Sequence, residues 1–132
     1  MNLLFYASTS DEVTKRLQKV IETILPGENK EIYRDIQSLS RRLREPLEGR
    51  RIFVLLASNR KDLSAIQSIR SLLSDASVIV VLPDRDSETI TQAHRLRPRF
   101  LTYIDSDFVE LAGVLVKMAK ASAQSERIAR KL

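Results

Sequence analysis

The chain has 132 residues, a hydrophobic fraction of 43%, no cysteine and one histidine. That is the length of one domain with an ordinary core, and it excludes disulfide frameworks, thiolate metal sites, cysteine nucleophiles and histidine-rich zinc sites. A formal charge of +5 gives a mild attraction to anions, and no apolar run reaches the roughly 20 residues that span a bilayer.

The chain opens on Leu3, Leu4, Phe5 and Tyr6, a short apolar run without the basic flank of a signal sequence. It reads as a buried first strand, and a cytoplasmic protein is expected. Thr9 and Glu12 have the spacing of a capping box. Val13, Leu17, Val20, Ile21, Ile24 and Leu25 then recur at helical spacing, until Pro26 and Gly27 end the helix. Residues 30–45 fit a helix through Ile32, Ile36, Leu39 and Leu43, or a short strand over Ile32 and Arg34 followed by a helix from Asp35. The second reading completes a strand–helix unit and is preferred.

Pro46 and Gly49 bound a loop ending in Arg50 and Arg51. The run RIFVLLASN has the continuous apolarity of a strand buried on both faces. Asn59 is placed to cap a helix carrying Leu63, Ile66, Ile69 and Leu73. SVIVVLPD, with four β-branched residues in succession, is the most strand-like stretch. A short helix over 87–97 carries Ile90, Ala93 and Leu96 and stops at Pro98. RFLTYIDSD supplies a last strand. Asp107 and Glu110 then head a helix containing Phe108, Leu111, Leu115 and Met118. Residues 1–122 form the expected domain, and 123–132 a polar tail that prolongs the last helix and carries Ile128 and Leu132 on one stripe.

Strand and helix alternate five times with short connections, the pattern of a doubly wound parallel α/β sheet with right-handed crossovers. This rhythm, with LLFYAS, FVLLAS, VIVVLPD and FLTYID as the first, third, fourth and fifth strands, resembles the receiver domain of bacterial two-component response regulators. The resemblance covers nearly the whole chain. It implies a flavodoxin-like fold with strand order 2-1-3-4-5 and helices on both faces. It also implies a set of phosphorylation residues, and none of them is present. Ala7 and Ser8 stand where the family has a magnesium-holding acidic pair. Ala57 stands at the phosphoacceptor aspartate, Pro83 at the serine or threonine, and Tyr103, with Ile104 the next choice, at the lysine. Phe100 corresponds to the switch aromatic. Without carboxylates to hold a metal, Ser58 is not read as a substitute acceptor. The expectation is a pseudo-receiver, not an enzyme and without a cofactor, that binds another protein: a kinase, a regulator or a second copy of itself.

Two other functions compete. Asp84 and Asp86 follow the fourth strand, and Asp105 and Asp107 the fifth. If these carboxylates converged they would suit magnesium and phosphoester chemistry, although aspartate before a helix is first of all a cap, and Arg85 or Arg99 lies near enough to neutralise them. Arg95, Arg97, Arg99 and Lys117 fall, by the same resemblance, near the partner face formed by the fourth helix, fifth strand and fifth helix. They also admit nucleic-acid binding, which 5% aromatic content and the lack of a motif disfavour. His94 has no partner in the sequence that would make it catalytic.

Overall fold

The computed structural model describes residues 1–27, 29–47 and 49–131, with side chains described up to Ala121. Ile128 and Leu132 therefore lie outside the described side chains. Five strands, β1 (Asn2–Ala7), β2 (Asn29–Tyr33), β3 (Arg51–Leu56), β4 (Ser77–Leu82) and β5 (Phe100–Tyr103), alternate with α1 (Glu12–Ile24), α2 (Ile36–Leu43), α3 (Arg60–Gln67), α4 (Ser87–His94) and α5 (Val109–Lys131). The sheet is parallel throughout, in the order β2-β1-β3-β4-β5. This is the flavodoxin-like α/β fold. All parallel strands point their carboxyl ends to one rim, and that rim is where such sheets commonly hold ligands.

Strand alternation divides the core cleanly. Leu4, Tyr6, Phe53, Leu55, Val78, Val80 and Leu82 pack against Leu39 and Leu43 of α2, Leu63 and Ile66 of α3, and Ala93 of α4. Leu3, Phe5, Ile52, Val54, Leu56, Ile79 and Val81 face Leu17 and Ile21 of α1 and Leu111 and Leu115 of α5. Strands buried on both faces have no polar side to show, which is why β3 and β4 read as unbroken apolar runs. β2 is an edge strand, with Ile32 exposed. Residues 30–45 resolve as β2 followed by α2, with Asp35 accepting from the Ser38 N–H as its cap at 2.8 Å.

Four local expectations are corrected. The cap of α1 is Asp11, which accepts from the Thr14 N–H at 3.0 Å, while the Thr9 hydroxyl donates to Asp11 at 3.2 Å. An aspartate two residues closer to the helix outcompetes the Thr9–Glu12 box. The helix expected from Leu63 through Leu73 ends at Gln67, and a 3-10 turn over Arg70–Leu73 carries the chain onward, keeping Ile69 and Leu73 buried. The helix expected over 87–97 ends at His94, and Arg97 turns at φ 52 immediately before Pro98. Phe108 lies before α5, not within it, at φ 63. Its N–H donates to Ser106 Oγ at 3.0 Å, and Asp107 accepts from the Val109 N–H at 3.1 Å instead of from Glu110.

Candidate functional site

At the carboxyl rim the chain leaves β1 at Ala7, β3 at Leu56, β4 at Leu82 and β5 at Tyr103. Ala57 follows β3 directly, and its N–H donates to Val81 O at 2.9 Å. Its side chain has 0% exposure and belongs to the core shared with α2, α3 and α4. Ala7 is equally buried on the opposite face. Neither position offers a group that accepts a phosphoryl or binds a cation.

In the loops that follow these two residues, a hydroxyl and a backbone amide converge on one carboxylate. Asp62, in the first turn of α3, accepts from the Ser8 hydroxyl at 2.7 Å and from the Ser58 N–H at 3.0 Å. Its own N–H donates to the Asn59 cap at 2.8 Å. The hydroxyls of Thr9 and Ser58 lie 3.3 Å apart. Arg34 donates to the carbonyl of Thr9 at 2.8 Å and to that of Ala7 at 3.4 Å. The loops after β1 and β3 are thus stitched together through their own polar groups. Nearby, burial first and then the carboxylates of Asp62 and Asp35 push the Tyr6 phenol above its usual pKa. Asp62 was missed in the sequence because its role depends on β1 and β3 being neighbours. Its spacing from Asn59 was the available signal.

The acidic pairs divide between two arginines. Arg60, at the start of α3, pairs with Asp86, and lies 3.6 Å from Asp84 and 3.7 Å from Glu88. Arg85 grips Asp105 with two hydrogen bonds of 2.8 and 3.0 Å, a fork geometry that favours the ionised acid. The guanidinium holds the Asp105 carboxyl below the usual carboxylate range. The same guanidinium sits 4.1 Å from the centre of the Tyr103 ring. Asp84 accepts from the Asp86 N–H at 3.0 Å, and Asp107 serves the turn before α5. Among the described residues no group of three or more acidic or histidine side chains is arranged to hold a metal ion. Asp84, Asp86, Asp105 and Asp107 are cap, turn and ion-pair residues in this arrangement. Arg85 takes the neutralising role expected of it, whereas Arg60 rather than Arg99 takes the other. Pro83 is half-buried at the exit of β4.

One further contact closes this rim. Arg16 of α1 donates to the carbonyls of Ile104 and Ser106, at 3.2 and 2.9 Å, and lies 5.0 Å from the Phe108 ring centre. The left-handed backbone at Phe108 buries that ring against α1 and leaves the β5–α5 loop carbonyls aimed at Arg16.

The basic residues lie at the opposite rim, around the amino ends of the strands. Arg99 and Lys117 line a small hollow with Arg50, Ile52, Ser77 and Met118. Arg95 and Arg97 line a different cavity, together with Arg70 and His94. The four cations named from the sequence are therefore split between two concavities.

Comparison with protein-family models and with curated proteins finds no match. Solved structures do match. A response regulator protein from Burkholderia pseudomallei, its structure containing a phosphorylated aspartic acid and a calcium ion, aligns with a TM-score of 0.59 and 14% identity over 98% of this chain and 72% of that one. The Salmonella typhimurium RcsB response regulator aligns with a TM-score of 0.63 and 16% identity over 92% of this chain and 61% of its own length. A proposed pilus assembly-related protein from Burkholderia pseudomallei gives 0.59 and 15%, over 94% of this chain and 90% of that one. The chain shares its fold with response-regulator structures. Among the described residues no helix is long and apolar enough to cross a membrane.

Proposed function

We propose that this chain is a receiver-like protein-interaction module whose output does not pass through an aspartyl phosphate. One observation carries the reading: the residue leaving β3 at the carboxyl rim is a fully buried alanine, Ala57. Phosphoryl transfer to a carboxylate needs the carboxylate and a cation to neutralise the moving charge. A methyl group supplies neither, and Ala7, Ser8, Pro83 and Tyr103 do not replace what is missing. The similar response regulator that carries a phosphorylated aspartic acid shows what the fold accommodates when that residue is present.

The rim contacts support a fixed rather than a switching surface. Ser8 and Ser58 on Asp62, Arg85 on Asp105 and Tyr103, and Arg16 on the loop before Phe108 each tie one rim loop to another element. A switch needs two arrangements whose populations a ligand shifts through differential binding. Here the loops are held by internal partners. The module presents one surface to a kinase, a regulator or a second copy of itself, with Arg99 and Lys117 beside β5 and α5 as its cationic contacts. Arginine suits that role through its planar, bidentate donors.

The test is affinity capture from the native cell, comparing the natural chain with an R99E/K117E variant, each with and without acetyl phosphate. The expected result is a partner recovered equally in both conditions and lost with the variant. Recovery that depends on acetyl phosphate contradicts the proposal.

A further inference from the structure

We propose that the amino-end cavity between the 3-10 turn and the α4–β5 loop binds the phosphate group of a small phosphorylated molecule of about nucleotide size. The cavity has a volume of about 660 Å³ and is lined by Arg70, Leu73, Ser74, Asp75, Ala76 and the run His94–Arg97. That volume lies within the range of small-molecule sites, roughly 300–1,000 Å³. Its floor is apolar, because Leu73 and Leu96 are buried beneath it.

Its charge is unbalanced. Arg70, Arg95 and Arg97 stand against the single carboxylate of Asp75, leaving two positive charges uncompensated. Among the described residues none of the three arginines has a carboxylate within ion-pair distance. This contrasts with Arg42, Arg60 and Arg85, each of which is paired. A carboxylate ligand brings one negative charge, whereas a phosphate monoester brings about 1.5 to 2 near neutral pH. The guanidinium fork matches phosphate oxygens in pairs, and the Ser74 hydroxyl and the imidazole of His94 line the same wall.

The backbone gives independent support. Among the described residues three non-glycine positions have positive φ, and two of them, Asp75 at 65 and Arg97 at 52, line this cavity. Arg97 is the less expected one, since it precedes Pro98 and proline drives its predecessor towards extended backbone. Left-handed backbone at a non-glycine residue costs of the order of 1–3 kcal/mol, and such residues gather at ligand sites. The Arg97 N–H donates to His94 O at 3.0 Å, and this turn holds Arg97 at the cavity that Arg95 also lines. Glycine adopts the same backbone without that cost. An arginine in its place is explained by what its side chain does.

Titration calorimetry and amide chemical-shift mapping with inorganic phosphate, pyrophosphate and adenosine triphosphate test the proposal. The expected result is saturable one-to-one binding, with shifts centred on residues 70–76 and 94–97. R70A and R95A should each weaken it by about tenfold, the low end for a charge-assisted contact. R97G should weaken it to a similar extent without lowering the melting temperature, which separates binding from folding. If phosphate and pyrophosphate match the nucleotide, the site recognises the phosphate alone. If the nucleotide binds more tightly, the base and sugar also occupy the cavity. No saturable binding at millimolar ligand overturns the proposal, as does affinity unchanged in an R70A/R95A variant. Binding confined to oligonucleotides, with the steep salt dependence of counterion release, would also overturn it by assigning these arginines to an electrostatic surface.

Discussion

At the scale of single residues, the decisive one is Ala57. It is buried on all sides, so the rim has no space prepared for a carboxylate. An aspartate placed there should therefore strain the packing around it. We expect A57D to lower stability by about 2–4 kcal/mol, the cost of burying an unpaired charge or neutralising it by protonation. Chemical denaturation checks this, and a stability within 0.5 kcal/mol of the natural chain, the usual range for surface substitutions, would show that the rim does accommodate an acid. Ala57 was legible in the sequence because a long apolar strand announces where it stops. Asp62 was not, because its partners Ser8 and Ser58 lie in the loops after two different strands. Arg16 was equally hidden, since it acts 88 positions away on Ile104 O.

At the scale of elements, the clearest device ties the edge strand β2 to α2. Tyr33 donates to the Glu31 carboxylate at 2.6 Å, and Arg42 donates to the same carboxylate at 2.7 Å. Burial first, and then the bond to Glu31, push the Tyr33 phenol up to about 12. The hydrogen bond from Arg42, opposed by burial, draws Glu31 below its usual value. A phenol whose folded pKa is raised contributes stability fully below its unfolded pKa of about 10, and that contribution is lost as pH rises towards 12. Ultraviolet titration should find one tyrosine ionising near 12, and E31Q should bring that midpoint down part of the way, since burial remains. A Tyr33 midpoint near 10 in the natural chain would contradict this arrangement. Apart from residues 30–45, where a strand and helix competed with one continuous helix, the strands and helices were legible, because buried parallel strands and amphipathic helices differ in period. Cap and end positions were not, at Thr9, Ser68, Arg97 and Phe108. There, local competition between hydrogen-bonding side chains and tertiary burial decides.

At the scale of the whole molecule, charge is sorted along the strand direction. Asp62, Asp84, Asp86 and Asp105 lie after strands, at the carboxyl rim, and are occupied by hydroxyls, amides, Arg60 or Arg85. Arg50, Arg70, Arg95, Arg97, Arg99 and Lys117 line concavities at the other rim. Open α/β folds commonly work at the carboxyl ends of their strands. In this chain that rim is closed by its own contacts, and the cations that line the two concavities lie at the other rim. The net charge of +5 did not reveal this, because sorting depends on which side of each strand a residue falls. The resemblance carried the architecture, whereas the contacts that occupy the carboxyl rim required the structure. The most direct measurement is intact-protein mass spectrometry after incubation with acetyl phosphate and magnesium, followed by an amide correlation spectrum of the same sample. The account predicts an unmodified mass and an unchanged spectrum. A phosphoryl adduct on any residue of the carboxyl rim, Ser58 or Asp84 included, with shifts spreading to β5 and α5, would contradict it.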